Sequence, residues 1–241
     1  LESALALDPG HPAALAALAD LHLRREAWPQ AAEALILCAR VEGDPATLRD
    51  VFLHLGLLYS QHLPDARRAI ASFERVLELE ADQRLALEQL ALLYEREADV
   101  PAALHALERL GELESDTEAR IGLLLRGARL QETQPGTDRA SLELLRRALG
   151  FDPSRVATSI AIADYFERRG DLTSARVQLD STSQLLRQKI ARDPSGPEPY
   201  HGLFRIAEHR RAVDAAWLIA SVADCLGAAT DDEATLLARQ G

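Results

Sequence analysis

Between Phe52 and Asp82 the large apolar residues recur every three or four positions, break at Leu63-Pro64-Asp65, and then recur on the same period. That period is one face of an α-helix, so the stretch predicts two helices joined by a tight turn. The same word returns along the chain. Phe52, Leu55, Gly56 and Tyr59, followed by Ala69 and Phe73, match Leu87, Leu90, Ala91 and Tyr94, followed by Ala103 and Leu107. Leu15, Leu18, Ala19 and His22 lead to Ala31 and Leu35, and Ser159, Ile162, Ala163 and Phe166 lead to Ala175 and Leu179.

The closing positions Leu35, Phe73, Leu107, Leu145 and Leu179 stand 38, 34, 38 and 34 residues apart. The extra residues fall at Glu42-Gly43-Asp44-Pro45 and Gln134-Pro135-Gly136-Thr137, where turn chemistry predicts loops. Trp28-Pro29, Val100-Pro101 and Gly170-Asp171 divide first from second helices; Asp8-Pro9-Gly10, Asp152-Pro153-Ser154 and Asp193-Pro194-Ser195 divide one unit from the next. The predicted units are a partial helix over 1–8, then 12–41, 46–80, 84–114, 118–150, 154–192 and 197–228, with an extra helix over 231–240. A small residue in each first helix lets the second approach, and bulky neighbours interlock across the contact.

The pattern resembles the tetratricopeptide repeat, a helix-turn-helix unit of about 34 residues. Phe52 to Phe73 carries nearly the whole signature, with Ala81 where the closing Pro belongs, and the resemblance runs over essentially the entire chain. It departs from the pattern in three places. Ile121 to Gln131 offers both Gly122 and Gly127 for the small slot, the helix after Gly170 runs on to Ile190, and Phe204 occupies a small position. The resemblance implies an all-α fold: one solenoid of about six TPR-like repeats over 1–241, wound as a right-handed superhelix with a concave groove lined by first helices.

What such a groove holds, in this family, is an extended peptide or a helix of a partner protein. The repeat register puts Asp20, then Leu53 and Leu57, then Glu88, Leu92 and Glu95, then Ile160 and Asp164 on that face. Some members grip a C-terminal carboxylate there with Lys, Arg and Asn; these positions are instead apolar with acidic points, which suits a basic or amphipathic partner. The expected role is a non-enzymatic interaction scaffold. The alternative is an interaction or regulatory arm of a larger enzyme or regulator whose active domain lies outside these residues, since the chain opens at Leu1-Glu2 inside a motif and reads as a piece of a longer protein. Self-association through open repeat ends is a further expectation, because clearly polar caps are missing.

Composition narrows the chemistry. The chain of 241 residues is 47% hydrophobic and 5% aromatic, with no Met. A net charge of −11 with no basic run disfavours nucleic acid. Lys189 is the only lysine, which reads as GC-rich bacterial composition. Nothing approaches the roughly 20 apolar residues of a membrane span, and no signal peptide opens the sequence. A cytoplasmic location is expected, with the periplasm open because the native N-terminus is not seen. Cys38 and Cys225 form no disulfide or zinc spacing and read as small buried residues. None of the seven histidines joins a metal-ligand spacing in sequence, and phosphate-loop, nucleophile-elbow and dinucleotide motifs are absent, so no cofactor or catalytic residue is assigned.

Overall fold

The computed structural model describes residue 8 and residues 10–133 and 138–240, and these are helical with short connections and no strand among them. The expected partial helix over 1–8 and the insertion at 134–137 lie outside the described residues. Helices pair in order: α1 (Pro12–Arg24) with α2 (Trp28–Val41), α3 (Pro45–Gln61) with α4 (Ala66–Leu79), α5 (Arg84–Arg96) with α6 (Val100–Leu113), α7 (Thr117–Glu132) with α8 (Asp138–Phe151), α9 (Val156–Glu167) with α10 (Leu172–Arg192), and α11 (Glu198–His209) with α12 (Val213–Cys225). A last helix, α13 (Asp231–Gln240), packs on α12. The chain divides into two compact units, residues 1–115 and 116–241.

Local chemistry starts and stops these helices where the turn residues predict. Pro12, Pro29, Pro45 and Pro101 stand in first turns, where a missing N–H costs nothing. Asp44, Asp65, Asp99, Asp116 and Asp171 cap α3, α4, α6, α7 and α10, each accepting a backbone N–H three residues on. Four of the first helices, α1, α5, α9 and α11, close alike. The N–H groups of Ala27, Asp99, Asp171 and Ala212 donate to the carbonyls of His22, Tyr94, Phe166 and Ala207 at 2.9 to 3.0 Å. The preceding residue is left-handed each time: Glu26, Ala98, Gly170 and Arg211.

In the first unit α2 also packs on α3, and α4 on α5. Leu15, Ala19, Leu35, Leu55, Phe73, Leu87, Ala91 and Leu107 are buried, so the repeated word is the core. The small slot works as a contact: Gly56 faces the Phe73 ring. Cys38 is buried as expected, and burial raises its thiol above the usual range.

The second unit follows the same plan with three differences. Gly122 faces solvent, whereas Gly127 and Ala128 are buried, which resolves the register of α7. Second, α10 has 21 residues, as its unbroken period required, and its extra turns pack Leu186 against Gly202 of α11. In α11, Phe204 fills the small slot, and Ala207 takes the position that Tyr59, Tyr94 and Phe166 hold elsewhere. The two side chains have exchanged sizes one turn apart, and α12 meets them with Ala216 and Ala220. Cys225, read from sequence as buried, is exposed, because it closes the outward face of α12 along with Trp217, Leu218 and Val222.

Candidate peptide-binding groove

Every sequence-predicted groove residue lies on an odd-numbered helix. In the first unit Asp20 on α1 is exposed and pairs with Arg24 at 2.9 Å. Leu53 and Leu57 on α3 are half-buried, one turn apart. On α5, Glu88, Leu92 and Glu95 follow at one-turn spacing; Glu88 accepts from Arg84 Nε at 3.0 Å, and Leu92 is 40% exposed. Two wider clefts of this unit open elsewhere. One of about 450 Å³ lies among Ile36, Tyr59 and Arg68, and one of about 580 Å³ among Leu77, Tyr94 and Arg109. Both are lined mainly from even helices and include none of the predicted residues.

The second unit brings Ile160 and Asp164 into a cleft of about 290 Å³. Leu125 from α7 and Ala157, Ile160 and Ala161 from α9 supply its apolar surface. Asp164 and Glu132 are its acidic points, and Arg129, Arg168 and Arg205 line it as well. Arg168 Nη2 donates to Glu132 Oε1 at 2.7 Å, which ties α7 to the end of α9. The three arginines were missed in sequence. Each sits alone in its own repeat, and only the helix packing places them around one opening. The signal available was the register of α7, which two competing glycines obscured. A second cleft, of about 380 Å³, lies beside the first and shares Arg205 with it; Arg155, Lys189 and His201 line it further along.

Small side chains at Ala157 and Ala161 keep the floor of the 290 Å³ cleft open, because a larger residue there would fill the space between α7 and α11. A surface of this kind offers apolar area for a side chain and charges of both signs for orienting it. The described residues of the cleft contain no nucleophile with an adjacent base.

The fold also joins residues that no sequence spacing linked. Asp164 and Glu167 of α9 and His209 of α11 place their ligand-capable atoms within 4.8 Å of one another. Asp164 Oδ1 lies 3.0 Å from His209 Nε2.

No family model matches the chain, and no curated protein matches it. Among solved structures it is similar to a crystal structure of MamA, at 15% identity and TM-score 0.49, over 76% of this chain and 94% of that one. A second MamA structure, AMB-1, gives 21% identity and TM-score 0.48 over 72% and 91%. MamA 41-end from Desulfovibrio magneticus RS-1 gives 19% and 0.45 over 73% and 96%. The helix pairing itself, rather than these distant likenesses, carries the fold. Among the described residues no helix is long and apolar enough to cross a membrane.

Proposed function

We propose that this chain is a non-enzymatic interaction module of the tetratricopeptide type, which holds a helix or peptide of a partner protein against its first helices. The observation that supports this most directly is the cleft at Ile160 and Asp164, where first helices leave an apolar floor open between charged edges. Leu57 and Leu92 provide the matching apolar surface in the first unit. A net charge of −11 and the carboxylates at Asp20, Glu88, Glu95 and Asp164 favour a partner that carries Arg or Lys beside its apolar residues. The arginines in the second unit give such a segment a fixed polarity, because its acidic positions can face Arg129 and Arg205. Nucleic acid does not fit that charge.

The second reading is an interaction arm within a larger enzyme or regulator. It is supported by α13, a helix beyond the last pair that packs on α12 where a following domain could attach. Both readings use the same groove.

The experiment is capture from the source cell's lysate with the wild-type chain, with Leu57→Arg and Leu92→Arg combined, and with Ile160→Arg. Helicity of each is checked by circular dichroism. The expected result is a discrete partner set that binds the wild type and is lost from the folded variants. Retention of every partner by both variants would show that first helices do not form the binding face. A captured partner is then reduced to overlapping peptides, and the binding peptide should read as an amphipathic helix with basic residues.

A further inference from the structure

The geometry points to a divalent transition-metal site at Asp164, Glu167 and His209, taking an ion of the zinc, cobalt or nickel type. Asp164 and Glu167 stand three residues apart on α9, so both carboxylates leave the same side of the helix. His209 comes from the last turn of α11, and its ring is 12% exposed, held by the surrounding packing. The three ligand-capable atoms converge within 4.8 Å.

Asp164 Oδ1 and His209 Nε2 lie 3.0 Å apart in a direct hydrogen bond, which a bound ion would replace. With bonds of about 2.1 Å, two ligands at the tetrahedral angle lie about 3.4 Å apart, so the pair parts by a few tenths of an ångström to admit the ion. Glu167 is exposed at the helix end. Three protein ligands leave the remaining positions to water, which makes the site open on the solvent side. An imidazole with two carboxylates suits borderline divalent ions; it lacks the thiolate that soft ions prefer and the all-oxygen set that calcium and magnesium prefer.

The electrostatics favour a cation. Both α9 and α11 end at the cluster, so two helix C-termini direct their negative ends towards it. Three neighbouring arginines are engaged elsewhere, while Arg129 and Arg205 line the cleft that Asp164 shares. Arg168 pairs with Glu132 at 2.7 Å, Arg210 pairs with Asp180 at 2.8 Å, and Arg169 lies over the Tyr165 ring at 4.2 Å. The Glu167 carboxylate has no ion-pair partner among the described residues. A bound ion would clamp α9 to α11, the first helices of two successive repeats, beside the cleft that Asp164 also lines.

The test is calorimetric titration of the full chain with zinc chloride and with cobalt chloride at neutral pH in a non-chelating buffer, with the cobalt form read by its visible absorption. One site per chain is expected, with a higher melting temperature in saturating zinc and no response to calcium or magnesium. His209→Ala and Asp164→Asn should each weaken binding by about tenfold or more. Glu167→Gln removes an exposed carboxylate, leaves the His209–Asp164 contact intact, and should weaken binding in a chain as stable as wild type. Absence of binding by the wild-type chain, or an unchanged isotherm in His209→Ala or in Glu167→Gln, would overturn the site.

Discussion

The ring of Phe73 occupies the place that a Cβ on Gly56 would need: built there, that atom would lie 2.6 Å from Phe73 Cε1 and 2.7 Å from Cζ. A ring locked at 0% exposure cannot move aside cheaply. Gly56→Ala should therefore destabilise the first unit by about 1–3 kcal/mol, although alanine is the better helix former. Thermal or urea unfolding measures it. A stabilised Gly56→Ala chain would mean that α3 and α4 do not approach this closely.

Glu26, Ala98 and Arg211 carry side chains at φ of 56, 58 and 54°, in the turn position that Gly170 fills elsewhere. Left-handed backbone is strained for residues with a Cβ. Ala98 is exposed, so Ala98→Gly loses no packing. It should gain about 0.5–1 kcal/mol, read as a raised urea midpoint.

The aspartates that open turns and helices set the acid response. Asp44 is held below the ordinary value of 3.8 mainly by the Thr47 hydroxyl, Asp171 by Ser174, and Asp193 by Ser195. A carboxyl group with a lowered folded pKa binds protons more readily when unfolded. Its contribution is present above the unfolded value and is lost as pH falls through the lower, folded one. Stability should thus decline below about pH 4, and Asp44→Asn with Asp171→Asn should flatten that decline. Urea midpoints at stepped pH values check this; parallel curves for variant and wild type would refute it.

Helix α13 is fastened by a carboxylate. Glu233 is fully buried, receives the Thr230 N–H at 2.8 Å, and lies 2.8 and 3.0 Å from His201 Nδ1. Thr230 and Glu233 together form a capping box. Glu233→Ala should lower the local opening free energy of α13 by about 1–3 kcal/mol. Faster hydrogen exchange over 231–240, with the rest unchanged, is the expected readout. Unaltered exchange would assign the docking to Leu236 and Leu237, which pack beside Phe204.

The helices were legible because their pattern is local. Small and large residues alternate on a 3.6 period, and prolines and aspartates mark each end. The exchange between Phe204 and Ala207 was only half legible, because the sequence shows a bulky residue in a small slot but not the alanines of α12 that receive it. The groove was legible one helix at a time. Ile160 and Asp164 follow from the register of α9, whereas Arg129, Arg168 and Arg205 converge through the relative rotation of several helices. The His209–Asp164 contact spans 45 residues and depends on the same rotation. Such relations are set by how repeats stack, which short-range spacing does not encode.

Lys189 donates to Ser154 Oγ at 2.6 Å, across the seam between α10 and the turn that precedes α9. As the chain holds a single lysine side chain, its amine is a unique chemical handle at that seam. A fluorophore coupled there would report from the edge of the 380 Å³ cleft.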